Sequence, residues 1–109
     1  AWDTALNFIC QTNSEGYILA TTTSSSYGNI GTNNKQNTGV NSADNYSKIH
    51  DLLGNFWEWT TEYYSRSVYP CVARGGGYDD SGSYAAARYH YYTSDAYAYI
   101  SFRLQLYVK

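Results

Sequence analysis

The chain has 109 residues, an aromatic share of 18%, a net charge of −2 and 14 tyrosines. This length predicts a single domain with one modest core. The seven lysines and arginines are spread from Lys35 to Lys109 without a basic block, so we expect no nucleic-acid partner. No apolar run approaches the roughly 18 residues of a membrane helix, so we expect no membrane insertion.

The first predicted element is a short amphipathic helix in the segment WDTALNFIC. Trp2, Leu6 and Ile9 recur at helical spacing, which predicts one face turned to the core. Asp3 or Thr4 is a residue type that caps helix N-termini. We therefore expect a helix that begins near Asp3.

Residues 21–46 follow as a polar segment rich in Gly, Asn, Ser and Thr, with neither the helical nor the strand period. Such composition predicts ordered loop or flexible connection. Because a loop this long is unusual in a small domain, it favours a loop-rich fold.

Strand patterns appear in the second half of the chain. A turn at Gly54 and Asn55 precedes the alternation in FWEWTTEYY, and CVARGGGY reads as a short strand broken by three glycines. The final segment, ISFRLQLYVK, alternates with period two. It predicts a half-buried strand whose core face carries Ile100, Phe102, Leu104, Leu106 and Val108.

The two cysteines, Cys10 and Cys71, are too few for a disulfide framework and lack metal-site spacing. Free thiols and a single bridge both remain open. The chain starts at Ala1 and shows no signal peptide, so we expect the C-terminal domain of a longer protein.

Four ordered blocks carry a resemblance to a known family: GNFWEW at residues 54–59, RGG at 74–76, AAR at 86–88 and SFR at 101–103. The pattern resembles the formylglycine-generating-enzyme (sulfatase-modifying-factor) branch of the C-type lectin fold, with Ser101 where that branch usually has glycine. The resemblance implies an α+β, loop-rich C-type lectin fold over residues 1–109, with short twisted antiparallel strands and one or two helices.

Within that branch, the chain is most similar to the variable proteins of diversity-generating retroelements, whose last segment is rewritten at the adenines of Asn codons. Such rewriting excludes Lys, Glu, Gln, Met and Trp. Residues 77–100 contain none of these five types, whereas the other 85 positions hold 12, and seven of the 24 residues are tyrosine. The resemblance implies that residues 77–100 form a variable ligand-binding segment.

Tyrosine suits recognition because it gives a large contact area at a small cost in side-chain entropy. The competing interpretation is that tyrosine is simply a good strand residue. Strand parity predicts that Tyr97 and Tyr99 face away from Ile100 and Phe102. We expect one solvent-facing binding patch formed by Tyr78, Asp79, Asp80, Tyr84, Tyr89, His90, Tyr91, Tyr92, Asp95, Tyr97 and Tyr99.

The aspartates make this region mildly acidic, which disfavours phosphate-rich ligands. The resemblance implies a non-enzymatic domain that binds a protein or glycan receptor on a target cell. It would be displayed on a phage tail tip or a bacterial cell surface. The sequence leaves the oligomeric state and the identity of the ligand open.

Two other functions compete with receptor binding. The resembled enzyme oxidises a substrate cysteine with a cysteine pair that follows the RGG block, but no cysteine follows Gly76 here. His50 and His90 are isolated, so we expect no enzyme. A calcium-dependent sugar-binding lectin is the second alternative, although its sugar-reading motifs are absent.

The resemblance also implies a possible structural calcium site in DLLGNFWE. Its ligands would be Asp51, the carbonyls of Gly54 and Phe56, and Glu58, a set of hard oxygen donors around a glycine turn. The alternative is that Asp51 caps a turn and Glu58 pairs with an arginine. We expect no cofactor to be required.

Overall fold

The computed structural model describes residues 2–65 and 68–104. Two helices open the chain, α1 (Trp2–Thr12) and α2 (Gly16–Thr21). Helix α1 buries Trp2, Leu6 and Ile9, which confirms the predicted amphipathic helix. Because α1 already includes residues 3 and 4, the prediction that one of them caps it is wrong. Neither described helix is long and apolar enough to cross a membrane.

Within residues 2–65 and 68–104, six strands follow a 3-10 turn at Ser42–Asp44. They are β1 (Asn45–Tyr46), β2 (Ile49–His50), β3 (Trp57–Tyr63), β4 (Cys71–Arg74), β5 (Arg88–Tyr91) and β6 (Ile100–Phe102). Strands β1 and β2 pair with each other, and the main sheet has the order β5-β4-β3-β6. Strands β3, β4 and β5 are antiparallel neighbours, whereas β6 runs parallel to β3. The expected α+β class is confirmed, but the sheet is mixed rather than purely antiparallel.

Backbone turns shape both ends of this sheet. Gly54 and Asn55 have φ of 80° and 60°, so the turn predicted before β3 is confirmed. Gly75 and Gly76 follow the end of β4 with φ of 96° and 82°, where side chains are disfavoured. The glycine break predicted from the sequence is therefore confirmed.

The polar segment before β1 is ordered by two buried asparagines. Asn29 and Asn55 are each 4% exposed, and the Asn29 amide donates to Asn55 Oδ1 at 3.1 Å. Asn55 also exchanges hydrogen bonds of 2.9 Å with the backbone of Gln36. Because buried polar groups are costly unless paired, these bonds fix the loop beside the turn at Gly54.

The core has two parts. The larger part joins α1 and α2 to the central loops and contains Trp2, Leu6, Ile9, Leu19, Ile30, Tyr46, Leu52, Leu53 and Ala85. The smaller part contains Trp57, Ala73 and Tyr91, with Trp59, Tyr99 and Ile100 packed against it. Four aromatic residues therefore form or flank the second core: Trp57, Trp59 and Tyr91 come from the sheet, and Tyr99 comes from the turn before β6.

The last strand differs from its prediction. Phe102 and Leu104 are 72% and 85% exposed, so their expected place in the core is wrong. The physical reason is that Arg103 binds Glu58 on the inner side of this edge segment, which leaves its neighbours in the chain pointing outward. Leu106 and Val108 lie outside the described residues.

Both cysteines are free thiols. Cys10 is exposed on α1, and Cys71 is half-buried in β4. The question that the sequence left open is therefore answered in favour of thiols.

Candidate ligand-binding site

An open concavity of about 680 Å³ lies among residues of β3, β5, the segment before β4 and the segments that follow β4 and β5. We call it the tyrosine concavity. It is lined by Trp57, Tyr69, Asp79, Asp80, Ser81, Tyr89, His90, Tyr91, Tyr92, Asp95, Tyr97 and Tyr99. Nine of the eleven predicted binding residues belong to it, so the structure brings most of the predicted set together.

One row of rings crosses the concavity. Tyr97 stacks on Tyr99 with centroids 5.0 Å apart and planes 11° from parallel. Tyr91 lies 5.6 Å from Tyr97 and 5.1 Å from Tyr89. Tyr89 in turn lies 6.0 Å from Trp57. These distances are typical of aromatic pairs that stabilise one another, so each ring helps to hold the next.

A second group of rings surrounds His90. The imidazole stacks on Tyr64 at 4.4 Å and 4°, and it contacts Tyr69 at 4.7 Å. Tyr69 packs on Tyr92 at 4.4 Å and accepts a hydrogen bond of 3.1 Å from the Tyr92 hydroxyl. Because Tyr89 stacks on His90 at 5.4 Å, the two groups form one continuous aromatic surface.

Tyr91 differs from its neighbours because it is buried. It is 7% exposed, pairs in the sheet with Cys71 and packs edge-on against Trp59 at 5.2 Å. Burial is the main cause that raises the pKa of the Tyr91 phenol, followed by its interaction with Tyr99. The prediction that Tyr91 faces solvent is wrong, because its strand position turns the ring into the second core.

The other tyrosines of the concavity are more accessible. Tyr89, Tyr92 and Tyr97 are 53%, 46% and 44% exposed, and Tyr99 is half-buried. Tyr97 and Tyr99 precede β6, and Tyr99 lies in a turn, so the prediction that strand parity orients them is wrong. Burial raises the pKa of Tyr99, with smaller contributions that include the Asp79 carboxylate.

Two predicted members lie outside the tyrosine concavity. Tyr78 packs edge-on against Phe56 at 5.8 Å, and its backbone bonds to Asn33 and Asn55. Tyr84 is 42% exposed but does not line the concavity. The prediction that all eleven residues form a single patch is therefore wrong in its extent.

Three lining residues were missed by the sequence reasoning. Trp57 was predicted only as part of the alternating segment FWEWTTEYY, yet its ring belongs to the second core and also lines the concavity. Ser81 lies inside the predicted variable segment, which is the signal that could have found it. Tyr69 precedes that segment, and nothing in its sequence surroundings indicated a place beside His90.

The acidic groups of the concavity differ in how they are engaged. Asp80 accepts hydrogen bonds from the Gly82 backbone at 3.0 Å and from the Ser83 hydroxyl. Asp95 accepts from the Tyr92 backbone at 2.8 Å. In residues 2–65 and 68–104, no hydrogen bond or ion pair engages the side chain of Asp79, which is exposed. Asp80 and Asp95 therefore stabilise their own loops, whereas the carboxylate of Asp79 remains available to contact a ligand.

One of the predicted calcium ligands, Glu58, is bound by a cation that belongs to the chain. Both carboxylate oxygens of Glu58 accept from Arg103, at 2.6 Å and 2.8 Å. The Arg103 guanidinium also donates to the carbonyls of His50 at 2.8 Å and Asp51 at 3.3 Å. The Asp51 carboxylate accepts from the Gly39 backbone at 3.2 Å.

This arrangement does not fit a calcium ion, because the carboxylate of Glu58 is already bound by Arg103. The alternative pairing of Glu58 with an arginine is confirmed. Gly54 and Phe56, whose carbonyls completed the predicted ligand set, lie on the same turn. Across the described ranges, no group of three or more His, Cys, Asp or Glu residues is arranged to hold a metal.

A buried arginine connects the scaffold to the strand that carries the concavity. Arg74 is 5% exposed and donates to Glu62, Asp3 and the Ala86 carbonyl, each at 2.7 Å. Arg88, at the start of β5, pairs with the same Glu62 at 3.0 Å. These contacts fix the beginning of β5 relative to α1 and β3, so Tyr89 and His90 have a defined position.

A family model described as the sulfatase-modifying factor enzyme 1-like domain matches residues 3–105. The matched range includes α1 except Trp2, all of α2, the main sheet and all residues that line the tyrosine concavity. No curated protein and no solved structure gives a significant match.

Proposed function

This chain belongs to the sulfatase-modifying factor enzyme 1-like domain family, and from that premise we propose that it is a non-enzymatic receptor-binding domain of C-type lectin fold. Its ligand-binding surface is the tyrosine concavity. The receptor is a protein on the surface of a target cell. The domain acts in attachment, on a phage tail tip or a bacterial cell surface, as a variable protein of a diversity-generating retroelement.

The observation that carries this proposal is the gathering of nine residues from one compositionally restricted segment into a single aromatic concavity. Tyrosines selected only for strand formation have no reason to converge on one open surface. Three of them keep about half of their side-chain surface in solvent although they touch other rings. Exposed aromatic surface of this kind is typical of recognition sites.

The rings are supported before any ligand arrives. Tyr91 and Trp57 belong to the second core, and Tyr89 and Tyr97 each contact Tyr91. Rings that already have defined neighbours lose less freedom on binding than those of a flexible loop. The concavity therefore combines variable side chains with a fixed support.

Binding is favoured over oxidation by the position of the thiols. Neither Cys10 nor Cys71 lines the tyrosine concavity, and residues 77–109 contain no cysteine. His90 is stacked between rings rather than placed beside a nucleophile. A cysteine-based oxidation at this surface lacks its reactive groups.

The proposal is tested with the fluorescently labelled domain and a panel of bacterial strains. Tyr89→Ser combined with Tyr97→Ser removes two accessible rings of the concavity. The matched control replaces Tyr17 and Tyr63, which are 70% and 50% exposed and lie outside it. We expect the labelled domain to bind at least one strain, the concavity variant to lose that binding and the control to keep it.

Two results would contradict the proposal. One is the absence of binding to every strain, and the other is binding that persists in the concavity variant. The retroelement assignment has its own test in the adjoining genome. A near-copy of the coding sequence for residues 77–109 with Asn codons, beside a reverse-transcriptase gene, is expected there, and its absence contradicts diversification.

A further inference from the structure

The charged side chains that line the tyrosine concavity are acidic. Its lining includes the carboxylates of Asp79, Asp80 and Asp95, and it includes no lysine or arginine among the described residues. Aromatic faces carry negative partial charge, so the rings add to the same preference. A surface with both features favours a cationic group and disfavours an anionic one.

Asp79 is the carboxylate best placed to meet such a group. Its Oδ1 lies 2.8 Å from the point where a Cβ on Gly77 would stand, and two atoms of the Trp57 indole lie 3.0 Å and 3.1 Å from the same point. The absence of a side chain at Gly77 therefore allows the carboxylate and the indole to approach each other. Asp79 is also close enough to Tyr99 to contribute to the raised pKa of that phenol.

We propose that the tyrosine concavity binds an arginine side chain of the protein receptor, with the guanidinium lying against the rings and paired with Asp79. This inference rests on the proposed receptor-binding function and names the chemistry that the site recognises. The carboxylates of Asp80 and Asp95 already accept hydrogen bonds from their own loops. They add negative charge, whereas Asp79 supplies the direct contact.

Arginine fits this surface better than lysine. The guanidinium is planar and stacks on aromatic faces, and its fork of donors matches both oxygens of a carboxylate. The ring faces available to a guanidinium are those of the accessible tyrosines, because Tyr89, Tyr92 and Tyr97 are each about half exposed. A lysine ammonium can make one of these contacts at a time, because it is a compact point charge on a flexible stem.

The test uses a pair of small probes that differ in charge but hardly in shape. N-acetyl-arginine amide is titrated into the isotope-labelled domain, and N-acetyl-citrulline amide is the neutral control. The indole N–H of Trp57 and the backbone amides of residues 77–99 report binding by nuclear magnetic resonance. We expect the arginine probe to shift these signals and to bind roughly tenfold more tightly than the citrulline probe, as for a charge-assisted contact.

A matched pair of variants assigns the contact to Asp79. Asp79→Asn removes the charge with almost no change of shape, and Glu15→Gln removes one charge from an exposed side chain with no capping bond at the start of α2. We expect Asp79→Asn to abolish the preference for arginine over citrulline and Glu15→Gln to preserve it. Both variants should keep the wild-type amide spectrum elsewhere, which shows that they fold.

Each remaining outcome overturns the inference. Equal binding of arginine and citrulline, or no shift with either, excludes a cation site. An unchanged preference in Asp79→Asn excludes the proposed pairing, and equal binding of N-acetyl-lysine amide excludes the planar contact. If the labelled domain still binds cells through Tyr89 and Tyr97 in any of these cases, the receptor-binding proposal stands and the arginine inference alone fails.

Discussion

The stability of Trp57→Ala, compared with that of a variant lacking an accessible ring, tests which aromatic residues support the concavity and which are only displayed on it. Trp57 is 6% exposed and belongs to the second core with Ala73 and Tyr91, so its removal leaves a large cavity under β3. Such a truncation costs about 3–5 kcal/mol. In a domain of this size each kcal/mol lowers the Tm by roughly 4–8 °C, so we expect the Tm to fall by more than about 10 °C.

The matched change is Tyr89→Ser, which removes a ring that is 53% exposed and touches the same indole. We expect it to cost less than about 1 kcal/mol, because it loses ring contacts but little buried area. Urea unfolding followed by circular dichroism measures both free energies without relying on tryptophan fluorescence. A Trp57→Ala variant as stable as the wild type, or a Tyr89→Ser variant as unstable as Trp57→Ala, would refute the division between support and display.

Three further predictions concern the buried groups. Burial raises the pKa of Tyr91 above its ordinary value of 10.0, so its contribution to stability is complete below pH 10 and is lost at higher pH, where the tyrosine of the unfolded chain ionises first. The free energy of unfolding should therefore fall less steeply above pH 10 in Tyr91→Phe than in the wild type. An identical slope in the two proteins contradicts this prediction. Arg103→Met leaves the nearly buried carboxylate of Glu58 without its partner and should cost about 2–4 kcal/mol in urea unfolding, whereas a loss below about 1 kcal/mol contradicts the pairing. Chelator should leave the Tm unchanged because Arg103 holds both oxygens of Glu58, and a Tm that falls with chelator and recovers with calcium would restore the calcium interpretation.

The features predicted correctly from the sequence are those in which the local residue pattern agrees with the position of the segment in the fold. The apolar spacing of Trp2, Leu6 and Ile9 determines which face of α1 is buried, because the helix has a single neighbouring core. Gly75 and Gly76 adopt positive φ, which glycine alone reaches without strain. The restricted alphabet of residues 77–100 likewise pointed to the segment that supplies most of the concavity.

Other features depend on tertiary contacts that periodicity does not report. The alternation in ISFRL predicted a buried Phe102, but the pairing of Arg103 with Glu58 decides which side of the segment faces inward. Tyr91 has the same composition signal as Tyr89 and Tyr92, yet its position opposite Cys71 buries it. The sequence alone shows that aromatic rings are abundant, and the register of β4 with β5 decides which ring is buried and supports the others.

Tyr69 illustrates a different limit. It lies outside residues 77–100, the predicted variable segment, and reaches the concavity by packing on His90 and Tyr92. These contacts join residues more than 20 positions apart, and no local pattern encodes them. When a surface is assembled from two distant segments, the sequence therefore indicates only the segment that has a distinctive composition.

The most direct test of the central claim is hydroxyl-radical footprinting of the domain while it is bound to cells of a strain that it recognises. The account predicts that Tyr89, Tyr92 and Tyr97 become protected from oxidation on binding. Tyr17 and Tyr63, which are also exposed but do not line the concavity, should be oxidised at their unbound rates. Protection of Tyr17 or Tyr63 with unchanged oxidation of Tyr89, Tyr92 and Tyr97 would contradict the assignment of the tyrosine concavity as the receptor-binding surface.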